Sequence, residues 1–164
     1  MCQNLLEVIR KWTNVEGQVI YKDKWKEIDH SELKKFIGLI ILIGVYGSKH
    51  ENVTQLWSQE DGRSIFNKIM SRGRFQQILQ VLHFDDASAR RKKRSDDKLV
   101  PIREVFQMWN QNLQDGCVPS TCMTVDEQLV SFRGCCPFQV YIPSKPGKYG
   151  IKIWAICDSE TSYA

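Results

Sequence analysis

The chain has 164 residues, enough for one ordinary domain or two small ones, and its 42% apolar content suffices for a sizeable core. A net charge of +4 and a pI near 8.7 are mildly basic, below the level that would by itself mark a nucleic-acid binder. The most apolar stretch, residues 36–46, falls short of the ~18 apolar residues a membrane-spanning helix needs. Met1-Cys2-Gln3-Asn4 also lacks the charged-then-apolar pattern of a secretory signal, so the 6 cysteines are expected to be reduced. Cys117, Cys122, Cys135 and Cys136 match no common zinc spacing and read as structural thiols.

In chain order, Asp29 or Ser31 can cap a helix through Leu33, Phe36, Ile37, Ile40 and Ile41. Leu39, Leu42 and Ile43 make its other face apolar too, which predicts a helix buried at the centre of a helical cluster. Residues 52–57 and 62–70 read as short helices. Residues 74–84 form a clearer one, with Phe75, Ile78, Leu79 and Leu82 at helical spacing and His83 expected to be partly buried beside a hydrogen-bond partner. Residues 85–97 read as a charged linker. Within it, Arg90-Arg91-Lys92-Lys93-Arg94 is a solvated loop on one reading and a nuclear-localisation or phosphate-binding tract on the other. Pro101 suits a helix start, and Ile102, Val105, Phe106, Trp109 and Leu113 make the apolar stripe that follows. Asp115-Gly116 is expected to end that helix, with Gly116 free to take a positive φ.

After Pro119 the apolar period shortens. Residues 123–132 and 149–157 read as strands, the second apolar on both faces like a central strand. Pro143, Pro146 and Gly147 mark a loop between them, and residues 162–164 look like a third strand beginning. Trp57, Trp109 and Trp154 sit in apolar patterns and are expected in cores.

Asp126 is the most informative single residue, because a carboxylate half-buried in a strand needs a partner. That partner is either a cation such as Arg133 or a lysine, or a metal ion of the kind nucleic-acid enzymes use. Glu127 would point to the opposite face and so cannot share a metal with it. Lys145, Lys148 and Lys152 cluster downstream, where a phosphate backbone would suit them. Asp158 and Glu160 sit in what reads as a surface turn.

The segments Val125-Asp126-Glu127-Gln128-Leu129, Phe132-Arg133-Gly134, Cys136-Pro137-Phe138 and Tyr141-Ile142-Pro143 resemble the piggyBac family of DNA transposases. So do Lys145-Pro146, Lys148-Tyr149-Gly150-Ile151-Lys152 and Cys157-Asp158-Ser159, and, upstream, Leu82-His83-Phe84-Asp85-Asp86 and Pro101-Ile102-Arg103. One departure is Cys135, where the family often carries arginine. The resemblance implies an α+β chain: a helical dimerisation and DNA-binding region over residues 1–120, then over residues 121–164 the opening strands of a truncated RNase H-like catalytic core. It implies three aspartates and Mg²⁺ or Mn²⁺, with Asp126 as the first catalytic and metal-binding carboxylate, and Arg133, Lys145, Lys148 and Lys152 as DNA contacts. DNA is the implied partner, with homodimer formation open and neither membrane nor small-molecule substrate expected.

The residues after Asp126 are used up by two strands and a turn. The chain therefore reads as a fragment of a DNA-cutting and DNA-joining enzyme, nuclear, inactive alone and without tightly bound metal. A domesticated DNA-binding or chromatin protein and a pure dimerisation module remain alternative readings.

Overall fold

The computed structural model describes residues 3–48, 50–60, 62–88, 90, 97–161 and 163. The chain divides into two compact units, Met1–Ser88 and Ala89–Ala164. The basic run at residues 90–94 lies almost wholly outside the described residues.

The first unit is helical: α1 (Gln3–Tyr21), α2 (His30–Val45), α3 (Val53–Leu56), α4 (Ser64–Ile69) and α5 (Arg72–Val81), with a 3₁₀ turn at Lys22–Lys24. The helix starts are written in the sequence. Asp29 accepts the Glu32 amide at 2.7 Å and caps α2, Asn52 and Gln55 form a reciprocal capping box on α3, and Ser71 caps α5 through the Arg74 amide. The core joins Leu5, Leu6 and Ile9 of α1, Leu33, Phe36 and Leu39 of α2, Phe66 of α4, and Phe75, Ile78 and Val81 of α5. Trp57 is buried among them and donates its indole N–H to the Met70 carbonyl at 2.8 Å, so its one polar atom is satisfied. Gly17 is required by close approach: a Cβ there would run into the Trp25 ring. His83 is half-buried; its backbone is tied to the buried Thr13 hydroxyl and its ring lies 3.3 Å from the Val81 carbonyl.

Two expectations for this unit need correction. α2 is not buried all round: Leu33, Phe36 and Leu39 face the core, while Ile41 and Val45 are 61% and 73% exposed. Uniform greasiness gives no face preference, and the packing buries one side only. On α5 the buried stripe is Phe75, Ile78 and Val81, with Leu79 turned outward.

The second unit opens with a 3₁₀ turn at Val100–Ile102, containing Pro101, that leads into α6 (Arg103–Asp115). Asp97 grips the Arg103 guanidinium with both carboxylate oxygens at 2.8 Å, and this contact, with the Leu99 amide, lowers the Asp97 pKa to about 2. α6 ends at Asp115-Gly116 as expected, with Gly116 at φ of −83° making no use of the positive-φ region; the Tyr163 hydroxyl, bonded to the Leu113 carbonyl, occupies the space a side chain would need.

Three antiparallel strands follow: β1 (Met123–Ser131), β2 (Val140–Tyr141) and β3 (Tyr149–Asp158), in the order β1-β3-β2. β3 is the central strand, as its composition predicts. β2 was not expected, because two residues carry no readable alternation. The third strand expected at residues 162–164 falls largely outside the described residues, and Tyr163 is not in a strand. No apolar side chain of this unit is buried among the described residues. Trp109 and Trp154, expected in a core, are 48% and 66% exposed. No helix among the described residues is long and apolar enough to cross a membrane.

Candidate functional site

The strand register decides which side chains share a face. Asp126 pairs with Ala155 and Glu127 with Trp154, and directly opposed residues of an antiparallel pair point the same way. One face therefore carries Thr124, Asp126, Gln128 and Val130 of β1 with Tyr149, Ile151, Ile153, Ala155 and Cys157 of β3. The other carries Val125, Glu127 and Leu129 with Lys152, Trp154 and Ile156. Glu127 thus turns away from Asp126, as its position predicts.

Asp126 is exposed rather than half-buried. Its Oδ1 accepts the Glu127 amide at 2.7 Å, and among the described residues no ion pair joins it to Arg133 or a lysine. An exposed carboxylate on the face of a three-stranded sheet is hydrated and free to ligate. One carboxylate does not fit a divalent cation, however, because hard cations take six or more oxygen donors. No group of three or more His, Cys, Asp or Glu side chains that could hold a metal occurs among the described residues. The described cysteines Cys117, Cys122, Cys135, Cys136 and Cys157 are free thiols.

The predicted cations divide into two sets. Arg133 follows Phe132, whose amide donates to the Tyr149 carbonyl at 3.2 Å, so Arg133 leaves the sheet at the end where Lys148 enters it. Lys145 and Lys148 stand on the loop between β2 and β3. That loop is closed by Ile142 N–H to Lys148 O at 2.7 Å and Lys148 N–H to Lys145 O at 3.0 Å. Lys148 has φ of 49°, a left-handed conformation that is uncommon outside glycine and costs about 1–3 kcal/mol. Gly147 lies against Ser131, where a Cβ would collide with the Ser131 hydroxyl. Lys152 lies apart from this set, on the face opposite Asp126. Its ammonium bonds Glu127 at 2.6 Å and sits 4.4 Å from the centre of the Trp154 ring.

The charge balance here exceeds what the whole chain suggests. No acidic residue lies between Glu127 and Asp158, whereas Arg133, Lys145, Lys148 and Lys152 do. Asp158 itself corrects the surface-turn expectation. It is 2% exposed, and its carboxylate accepts backbone amides from Ser120 at 2.6 Å and from Thr161 and Glu160 at 2.9 Å. These donors, Ser120 foremost, hold its pKa far below the usual carboxylate range. Asp158 locks the turn and the end of β3 to the segment entering β1, and its pairing with Met123 puts it on the face opposite Asp126.

Two surface clefts of about 360 Å³ and about 490 Å³ lie in the helical unit, the first lined by Lys26, Asp29, Glu32 and Arg74, the second by Gly38, Ile41 and Ile69. Neither contains Asp126. What sequence reasoning missed is an aromatic pair: Tyr141 and Tyr149 are cross-strand partners with ring centroids 4.7 Å apart. Two tyrosines eight positions apart across a Pro-Gly loop were the available signal.

Comparison with known proteins identifies the family and the fold. The family model described as Transposase IS4 matches residues 3–164. The chain is also similar to a solved structure, the piggyBac transposase synaptic complex with hairpin DNA, at 32% identity and a TM-score of 0.89. The match covers 96% of this chain and 34% of that one, so the chain spans about a third of the solved transposase.

Proposed function

Because this chain belongs to the transposase IS4 family, we propose that its sheet unit supplies the first catalytic carboxylate and part of the DNA-facing surface of a piggyBac-type transposase, which cuts DNA and joins it elsewhere. Family members use divalent metal ions. In this reading Asp126 is one ligand of a Mg²⁺ or Mn²⁺ site whose other carboxylates belong to the rest of an RNase H-like core. The observation that carries the proposal is the union, at one sheet, of an exposed Asp126 with a stretch, residues 128–157, free of acidic residues. Arg133, Lys145 and Lys148 are the principal phosphate contacts. Lys152 contributes less, because Glu127 already neutralises it. The helical residues 1–120 serve dimerisation and further DNA contact, and residues 90–94 address the protein to the nucleus.

By themselves these residues bind DNA without cutting it, since one carboxylate cannot hold the metal. The test is incubation of the 164-residue chain with an end-labelled transposon-end duplex and Mg²⁺ or Mn²⁺. The expected result is salt-sensitive binding with no nick and no joined product. Cleavage that disappears in Asp126→Ala contradicts the single-carboxylate reading. Absence of binding at low salt, with self-association intact, favours a dimerisation module instead.

A further inference from the structure

Tyr141 and Tyr149 are 54% and 48% exposed although their rings lie against one another, tilted by 41° with centroids 4.7 Å apart, and neither hydroxyl has a hydrogen-bond partner among the described residues. A cross-strand aromatic pair that only braces a hairpin contributes about 0.2–1 kcal/mol, and such rings normally bury a face in doing so. Here half of each ring meets solvent. Strand alternation places Tyr149 on the same face as Asp126, six positions along β3 from Asp126's partner Ala155, about 20 Å away at the usual rise. The surroundings are basic and free of acid: Lys145 and Lys148 on the connecting loop, Arg133 at the adjoining strand end, and no carboxylate between Glu127 and Asp158. Exposed aromatic faces beside unneutralised cations suit a nucleic acid whose bases can reach the rings. A paired base inside a duplex hides its faces in the stack, so only an unpaired base can lie against such a pair.

We propose that the Tyr141–Tyr149 ring pair is a stacking platform for an unpaired DNA base, held there by phosphate contacts to Arg133, Lys145 and Lys148. The inference rests on the DNA-binding reading above and deepens it: this end of the sheet takes opened or single-stranded DNA in preference to closed duplex.

The test uses the 164-residue chain and two labelled DNAs at one low salt concentration: a blunt duplex, and the same duplex with a four-nucleotide single-stranded overhang carrying 2-aminopurine. The overhang DNA is expected to bind about tenfold tighter, the order of one base stacking on an aromatic side chain, with the 2-aminopurine fluorescence quenched. The pair of changes Tyr141→Ala and Tyr149→Ala should erase both the excess affinity and the quench while leaving the blunt duplex bound as before. Tyr141→Phe with Tyr149→Phe should keep both, because the ring faces remain, and this pair of variants guards against a mere failure to fold. If the alanine changes weaken both DNAs equally, the rings only shape the hairpin and the proposal falls. If both DNAs bind alike and ignore the tyrosines, the platform falls while the DNA reading stands. If neither DNA binds, both fall. A dimer that the alanine changes dissolve, with no preference for the overhang, makes the pair a protein contact and overturns the proposal.

Discussion

In the helical unit, side chains from α1, α2, α4 and α5 close around Phe36, Phe66 and Phe75, whereas in the sheet unit Val125, Trp154 and Ile156 share one open face and no apolar side chain is buried among the described residues. Both units carry ample apolar residues, so composition does not separate them. What separates them is whether the partner layer is present. Five short helices wrap each other's stripes, while three strands and one helix leave both sheet faces in contact with solvent. The open half is also the half that holds Asp126, the acid-free stretch at residues 128–157 and the exposed tyrosines. The closed half is a scaffold by comparison, and its polar groups are spent internally: Arg74 forks onto Glu32 at 2.8 Å through two bonds, donates to the Lys26 carbonyl and lies over the Trp25 ring.

The sharpest way to break this contrast is truncation at matched aromatic positions. Phe36→Ala should cost about 3–5 kcal/mol, as expected for a fully buried phenylalanine. Trp154→Ala should cost under about 1 kcal/mol, because the ring is 66% exposed and its one specific contact is a surface cation–π pair. Denaturant unfolding of the two variants measures both, and equal losses would mean that the sheet face is covered after all. Next in size is Gly17→Ala. The added methyl meets the Trp25 ring and forces it off its place against α1, an overpacking cost of about 1–3 kcal/mol. The same change at Gly38, where a Cβ meets nothing, should leave stability unchanged or slightly raised through helix propensity.

Acid should find the sheet unit through Asp158 and Asp97. Both have folded-state pKa values below the unfolded value of about 3.9, so the stability they contribute is present above that pH. Both shares begin to be lost as pH falls below about 4; the Asp97 loss is complete once pH has passed about 2, and the Asp158 loss continues at still lower pH. Circular dichroism melts between pH 6 and pH 2 should show this loss. Asp158→Asn should lower stability at neutral pH and flatten the acid limb, since the variant has no proton to gain there. The smallest expected effect concerns salt. Lys145→Ala with Lys148→Ala should reduce the slope of log affinity against log salt by about two units, one per lost phosphate contact. Lys152→Ala should change it by well under one unit, because Glu127 already holds that ammonium.

Much of the helical unit is legible in its residues, because caps and turns announce themselves locally: Asp29, Asn52 and Ser71 stand where helices begin. Face choice on α2 is not legible, since a helix apolar on every side leaves the decision to its neighbours. In the sheet, β1 and β3 follow from apolar period and composition, but β2 is two residues long and exists only because Val140 and Tyr141 pair with Gly150 and Tyr149. Asp126 is found by its setting and by family resemblance, yet its exposure is a property of the open sheet, which no local pattern reports. Lys152 looked equivalent to Lys145 and Lys148 in one dimension. Strand alternation turns it to the far face and hands it to Glu127. By sequence Asp158 is a turn residue and so expected at the surface; three backbone amides converging from Ser120, Glu160 and Thr161 leave no trace in residue spacing.

The contrast between a closed scaffold and an open sheet proposed to face DNA is tested most directly by hydrogen–deuterium exchange of the 164-residue chain with and without a transposon-end duplex. In the free chain, the amides of α1, α2 and α5 should exchange slowest and those of β1 and β2 much faster. Added DNA should slow exchange over residues 131–152 more than anywhere in α1–α5. Protection that appears in the helices instead, with residues 131–152 unaltered, would contradict the assignment of the DNA surface to the sheet.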